Sequence, residues 1–262
     1  MSVTMDPGPV RDLLTVLGGV LTGTMSGAFG VGGAAVSTPA IRVLGCSAAL
    51  AVGTTLPSIL PGAATGWMRY RIENLIDWHI VRLTVPVGIV AAIGGAELAH
   101  VLPGSGHPLM IITAVLLVWS AVRLITGSDP IEEMHHTRRP VMGAAAIGAL
   151  SGGMSGLLGI GGGIVLIPAF TSVLGLPIKR AVATSLVCVG LYAVPGTLTH
   201  TLNHGIDWRF AIGLTIGVIP GARLGSVLAM RAGDRRLRLT FGVFLAVIAV
   251  IYAGGELRAL LD

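Results

Sequence analysis

The chain has 262 residues, of which 53% are hydrophobic and only 11% charged, with a net charge of +5 and a mean hydropathy of +0.86. A soluble domain carries about 25% charged residues, so there is too little polar surface here to cover a water-soluble globule. The basic balance does not point to nucleic acid, because the arginines and lysines sit in short stretches between apolar runs, where they set orientation in a bilayer.

Residues 1–11 carry two prolines and no cluster of positive charge ahead of the first apolar run, which argues against a cleaved signal peptide. A glycine-interrupted segment follows at 12–45, then apolar spans at about 48–66, 79–99 and 108–126. Each span is long enough to cross about 30 Å of hydrocarbon. The most polar stretch is 128–140. Its Glu132, Glu133, His135 and His136 fit no common metal-ligand spacing, so it reads as a solvated cytoplasmic linker. A second glycine-interrupted segment at 141–175 leads into spans at about 181–199, 210–230 and 237–254. Pro57, Pro61, Pro86, Pro195 and Pro220 fall inside spans, where they should kink helices and release carbonyls. Asp77 and Asp207 precede spans and suit helix N-caps, with Trp78 and Trp208 beside them at the membrane interface. Cys46 and Cys188 are too few for a disulfide framework, and no cofactor or metal is implied.

The chain repeats itself. Residues 23–39 laid over 152–168, at a constant offset of 129, match at nine of seventeen positions. The match resumes one residue later in register, with Thr54 on Thr184 and Ile76-Asp77-Trp78 on Ile206-Asp207-Trp208. The expected organisation is a first transmembrane repeat at 1–127, the linker at 128–140 and a second repeat at 141–262.

Loop charge then sets the parity. If each glycine-interrupted segment enters and returns, twelve basic residues share one side and only Arg11, Arg42, Arg209 and Arg258 face the other. With a single crossing the split is nine to seven, so the positive-inside rule favours the returning hairpin. A hairpin plus three crossings inverts the second copy. The fold expected is therefore an all-α polytopic membrane protein of two inverted repeats, each a glycine-broken helical hairpin plus three transmembrane helices, with both termini outside the cytoplasm. A re-entrant hairpin is favoured over two full crossings, because its second arm is only about 16 Å long as a helix.

Gly30, Gly32 and Gly33, with Gly159, Gly161, Gly162 and Gly163, fall where the hairpins should turn, and glycine permits the positive φ such a turn needs. The second arm starts at the turn, so its unpaired N–H groups and positive dipole end face the midplane, a ready place for an anion. The alternative is that these glycines only let helices pack closely, as small residues such as Gly23, Gly27, Gly152 and Gly156 do. Gly23, at a packing position, is expected to tolerate alanine. Thr54 and Thr55, with Thr184 and Ser185, occupy matching places in the next span; they can donate to an anion or bond back to their own helix. Ser26, Ser155, Tyr192 and His200 are accessories to the same idea, and Glu97 reads as an interfacial side chain. Arg223 lies well inside a span, where it either lends positive charge to the pathway or snorkels to the interface.

At these residues the sequence resembles the TauE/SafE family of sulfite and organosulfonate exporters. The resemblance rests on the duplicated glycine-rich segment, on the A-V-x-T-[ST]-L stretches at 51–56 and 181–186, and on the Gly205-Ile206-Asp207 turn; it covers about 12–255. It implies export of a small sulfur-containing anion, such as sulfite or sulfoacetate, across a bacterial inner membrane. The first copy departs in having Ala34 where the second has Gly163, and Asn74 where the second has His204, which suggests that one half-site binds less tightly than the other. A secondary transporter working by alternating access is the leading reading, since no ATPase motif is present. A small-anion channel is the alternative. An enzyme is disfavoured, because no Ser/His/Asp, Cys/His or paired-carboxylate arrangement falls at membrane depth. The implied partners are the anion and the lipid bilayer, with a homodimer left open.

Overall fold

The computed structural model describes residues 8–101, 107–126, 140–158, 162–202 and 204–261. Among these there are ten helices and no strand: α1 (Pro9–Phe29), α2 (Ala34–Val43), α3 (Ala48–Ile72), α4 (Trp78–Val101), α5 (His107–Thr126), α6 (Pro140–Leu158), α7 (Gly163–Ser172), α8 (Ile178–Leu202), α9 (Trp208–Arg231) and α10 (Asp234–Leu261). Six of them contain the expected apolar spans and run past them into polar residues, as α3 does through Arg69 and Arg71. The two glycine-interrupted segments each divide into a long helix and a ten-residue one, α1 with α2 and α6 with α7. Of the expected linker, all but Pro140, which opens α6, lies outside the described residues.

Local chemistry sets the boundaries. Gly30, at φ 67°, ends α1 in the left-handed region and gives its N–H to the Ser26 carbonyl at 2.7 Å. Gly45 ends α2 with a Schellman pair: Cys46 N–H to Ile41 O at 2.9 Å and Gly45 N–H to Arg42 O at 3.1 Å. Asn74 and His204 close α3 and α8 the same way, at φ 55° and 53°. The Asp77 carboxylate accepts from His79 and Ile80 N–H, both at 3.1 Å, and that of Asp207 from Arg209 and Phe210 N–H, so both are the helix caps expected of them. The one-residue slip between the copies falls just after α7, where Val173 is extra and Leu176 N–H reaches Phe170 O rather than a carbonyl five residues back.

Both short helices fold back along their long partners. A methyl on Gly18 would lie 4.0 Å from Ala40 Cβ and one on Gly33 2.6 Å from Thr22 Cγ2, so α2 retraces α1. In the second half Gly143 faces Leu174, and Gly162 faces Ser155. Each segment is thus a hairpin whose return arm, about 15 Å long, is half the thickness of the hydrocarbon.

Packing between the halves is reciprocal. The helix α1 lies along α9 of the second half, and α6 lies along α4 of the first. Both seams are lined by small residues at four-residue spacing: Gly19, Gly23 and Gly27 of α1 press on Gly217, Val218 and Ala222 of α9, and Gly217, Gly221 and Gly225 on Val20, Thr24 and Ala28 of α1, while Gly148 and Gly152 meet Thr84 and Gly88. The backbones nearly touch there. A methyl on Gly23 would fall 2.8 Å from Val218 Cα and one on Gly152 2.6 Å from Gly88 Cα. This corrects the expectation that Gly23 tolerates alanine, because the atoms in the way are rigid helix backbone. The equivalent helices α3 and α8 cross in opposite directions, with Leu56 beside Gly196, Ala63 beside Gly190 and Leu186 beside Gly66.

Large apolar side chains lie outside as well as in the core, and hydroxyls lie inside. Thr22, Ser26, Ser37, Thr54, Ser58, Thr84, Ser151 and Ser185 are buried, while Leu13, Leu17 and Leu21 of α1 and Ile212, Ile216 and Leu224 of α9 are exposed. An exterior of large apolar side chains around an interior where hydroxyls sit beside bulky residues such as Tyr70, Phe170 and Phe241 suits a lipid solvent, since lipid does not drive apolar side chains inward. By length and composition, α1, α8, α9 and the Trp78–Gly95 part of α4 can each cross a bilayer. Basic residues gather at one end: Lys179 reaches Asp234 at 3.3 Å and the Met230 carbonyl at 3.3 Å, joining the start of α8 to the α9–α10 corner. The other end holds Arg11, stacked over Phe210 at 4.7 Å, and the Asp12–Arg209 pair at 2.7 Å.

Candidate substrate site between the glycine turns

The first turn runs from Gly30 to Gly33. Gly32 and Gly33 both hold φ at 84°, and Gly33 serves as the N-cap of α2, its carbonyl accepting from Val36 and Ser37 N–H at 2.9 and 3.0 Å. Gly162 does the same for α7 at φ 69°, its carbonyl accepting from Val165 and Leu166 N–H, both at 3.1 Å. Gly33 and Gly162 are equivalent in the repeat. The next N–H groups, of Ala34 and Ala35 and of Gly163 and Ile164, precede the first helical bond and have no intrahelical acceptor. Gly159 and Gly161 lie outside the described residues.

The two turns touch. Gly163 sits against the other turn so closely that a methyl on it would lie 2.6 Å from both the Gly30 carbonyl oxygen and Val31 Cα. Gly32 packs against Val189 and Ile59, residues halfway along α8 and α3. Thus the N-terminus of α7 meets the first glycine turn, which leads into α2, at mid-height inside the protein.

Hydroxyls surround them. Gly33 rests on Thr22 and Ser26, and Gly162 on Ser151 and Ser155, so each N-cap glycine has two hydroxyl residues of the preceding helix beneath it. Ser26 and Ser155 were legible in the sequence; Thr22 and Ser151 were not, although they obey the same offset and stand one position before the aligned window. Ser185 Oγ donates to either Gly30 O at 3.1 Å or Val182 O at 3.0 Å, tying α8 to the first turn. Tyr192 OH lies 3.4 Å from both Ser151 Oγ and the Thr84 carbonyl.

Other candidates have different employment. Thr55 Oγ1 donates back to Val52 O at 2.9 Å. Thr54 Oγ1 accepts from Asp207 N–H at 2.9 Å, and Thr184 Oγ1 accepts from Asp77 N–H at 3.1 Å, so each copy's hydroxyl holds the other copy's aspartate turn. The His200 ring lies against Gly53 and Gly205 near the Asp207 turn. Arg223 is exposed on α9, two residues from both Gly221 and Gly225, and therefore on the face opposite the α1 seam; the structure does not bring it to the turns. Glu97 is also exposed.

The aspartate ties have a measurable consequence. Replacing Thr54 or Thr184 with isosteric valine leaves a part-buried N–H without its acceptor, so each change is expected to cost about 1–2 kcal/mol. Thr55→Val, which removes only a back-bond, is expected to cost under about 0.5 kcal/mol. Thermal melting of the purified variants checks this, and equal losses at all three positions would remove the distinction.

The sequence model of the sulfite exporter TauE/SafE family matches residues 15–252. The chain belongs to that family. It is similar to a probable membrane transporter protein of Xylella fastidiosa strain 9a5c, with 27% identity over 92% of this chain and 95% of that one. The probable membrane transporter protein YunE of Bacillus subtilis is 24% identical over 92% of this chain and 97% of its own. A third relative, from Methanocaldococcus jannaschii, carries the same description and is 22% identical over 90% of this chain and 93% of its own. No solved structure matches. Family and helices together make the chain a multi-pass membrane transporter, and the touching glycine turns are a feature of its interior.

Proposed function

We propose that the protein is a secondary transporter that exports a small sulfur-containing anion, sulfite or an organosulfonate such as sulfoacetate, across a bacterial inner membrane. The observation that carries this reading is the contact of the α7 N-terminus with the first glycine turn at mid-height, with two hydroxyl residues beneath each N-cap glycine. Unpaired N–H groups and hydroxyls can hold a sulfonate or sulfite oxygen without burying a fixed positive charge, so the anion can also leave.

Alternating access follows from the organisation of the halves. Reciprocal seams and the opposite directions of α3 and α8 support two inverted copies related by a pseudo-twofold axis in the membrane plane. The crowded basic end goes to the cytoplasm by the positive-inside rule, which sets both termini in the periplasm and the 128–140 linker inside. The ties Thr54–Asp207 and Thr184–Asp77 then guard opposite mouths. Releasing one while keeping the other opens the site to a single side. The energy source is an ion gradient or the anion's own gradient.

Proteoliposomes loaded with sulfite provide the test. Saturable efflux above that of protein-free vesicles is expected, with competition by sulfoacetate. Efflux of sulfate alone would overturn the substrate class, and single-channel currents in planar bilayers would replace the carrier by a channel. Reporter fusions after Leu261 and at Asp129 check orientation; a cytoplasmic C-terminus would sink the inverted arrangement.

A further inference from the structure

Arg223 takes no part in the glycine turns, and its surroundings are those of lipid. It stands in the outward stripe of α9, where Ile216, Ile219, Leu224 and Leu228 are 57%, 42%, 56% and 58% exposed, and Arg223 is exposed among them. Such a stripe faces acyl chains. Along the helix, Arg223 lies about 12 Å from Arg231 at the basic end and about 22 Å from Trp208 at the other, which sets it within the hydrocarbon rather than at its edge.

The protein gives it no counter-charge. Other basic side chains have one: Arg69 pairs with Glu73 at 3.2 Å, Lys179 with Asp234 at 3.3 Å and Arg209 with Asp12 at 2.7 Å, whereas Arg223 forms no ion pair among the described residues. The acids whose side chains are described lie at other heights. Glu73, Asp77 and Asp234 flank the basic end, Asp12 and Asp207 the opposite one, and Glu97 is about 28 Å along α4 from Trp78. A second copy related by an axis along the membrane normal keeps those heights, so it brings none of these acids to Arg223.

Snorkelling to the basic end runs against the helix. Every Cα–Cβ bond of an α-helix tilts toward the helix N-terminus, and α9 begins at Trp208, on the far side. Arg223 therefore leaves its backbone toward the middle of the bilayer. A guanidinium there is costly unless an anion and its hydration are drawn in to meet it.

We propose that Arg223 holds the phosphate of an anionic phospholipid from the leaflet at the basic end, drawn inward beside α9. The planar guanidinium suits two phosphate oxygens at once. A headgroup of net negative charge is selected because the rim above is cationic: Arg231, Arg235 and Arg236 are exposed there, with Arg180 beside the α8–α9 junction that Lys179 makes, and together they repel the ammonium of a zwitterionic lipid. The inference is independent of the substrate. Calling this leaflet cytoplasmic rests on the orientation proposed above, which the reporter fusions test separately.

Delipidated full-length protein in dodecyl maltoside, titrated with mixed micelles of phosphatidylglycerol or of phosphatidylcholine, provides the test, read by thermal melting and by native mass spectrometry of the lipid retained. Phosphatidylglycerol is expected to bind at least about fivefold more strongly than phosphatidylcholine, the weight of one arginine at an anionic surface. Arg223→Gln is expected to remove most of that preference, and Arg223→Lys, which keeps the charge, to hold it within about threefold of native. Arg223→Leu, which matches the neighbouring stripe, serves as a second charge-free variant with the same expected loss, and melting without lipid reports on folding. Arg42→Gln deletes an exposed arginine at the opposite end and is expected to leave the preference unchanged. Equal binding of the two lipids by the native protein, a preference that survives in the charge-free variants, or the same loss in Arg42→Gln overturns the proposal. So does equal stabilisation by sodium phosphate, which would make this a soluble-anion site, or dissociation of a lipid-free dimer by Arg223→Gln, which would give Arg223 to a second copy.

Discussion

Gly23→Ala is expected to destabilise the protein by roughly 3 kcal/mol, in the upper range of overpacking changes, and Gly217→Ala by a similar amount. At Gly23 the added methyl meets Val218 Cα at 2.8 Å and Ala222 N at 2.9 Å; at Gly217 it meets Val20 N at 2.7 Å and Gly19 C at 2.9 Å. All of these are backbone atoms of a helix lying alongside, so no rotamer change relieves the contact. The two helices must move apart along their whole length, and the other glycine-to-backbone contacts of the seam are lost with them. Gly18→Ala and Gly94→Ala are the controls. The first would meet only Ala40 Cβ at 4.0 Å and the second nothing within 4 Å. Both are expected to change stability by less than about 1 kcal/mol, with helix propensity favouring alanine. Thermal melting in one detergent across the four variants decides the matter, and a Gly23→Ala protein as stable as the Gly18→Ala protein would show that the seam is looser than drawn.

That seam also shows what the sequence could and could not reveal. Helix positions were legible because apolar runs of bilayer length and the aspartate caps act locally, and the duplication was legible because glycine turns tolerate few substitutes. The hairpins were legible from charge parity, since a helix of ten residues cannot return across a bilayer. Partner choice was not. Nothing within residues 12–30 says that Gly19, Gly23 and Gly27 face α9 rather than their own hairpin arm, because a small-residue stripe records close approach without naming the neighbour. The site divided along the same line. Gly30, Gly32, Gly33, Gly162 and Gly163 could be read as turn residues because positive φ or close approach is written in residue type. Thr54 and Thr184 look like ligands until their tertiary partners, the Asp207 and Asp77 N–H groups, are seen. Arg223 is deep within its span by sequence, but its direction depends on which face of α9 the seam uses.

Gly163→Ala is expected to cut sulfite export about tenfold or more, as loss of a hydrogen bond to a charged ligand would, while leaving membrane insertion intact. The position is instructive because the first copy already carries alanine at the equivalent Ala34, one residue past its own N-cap glycine. The local backbone of such a turn therefore accepts a methyl. No positive φ is involved at Gly163, so strain is not the cause. What forbids the methyl is tertiary: it would lie 2.6 Å from the Gly30 carbonyl and from Val31 Cα, the backbone of the opposing turn. Relief requires the turns to separate, which moves the α7 N-terminus away from the first turn, where the anion is proposed to bind. Ala34→Gly runs the comparison in reverse, removing a methyl from a buried site without touching the meeting of the turns, and is expected to keep export within about threefold at a stability loss of roughly 1 kcal/mol. Export from proteoliposomes and yield from membranes, measured side by side for the two variants, separate function from folding. A Gly163→Ala protein that inserts and exports sulfite at the native rate would mean that the contact of the turns is packing alone, with the transport path running elsewhere through the interior.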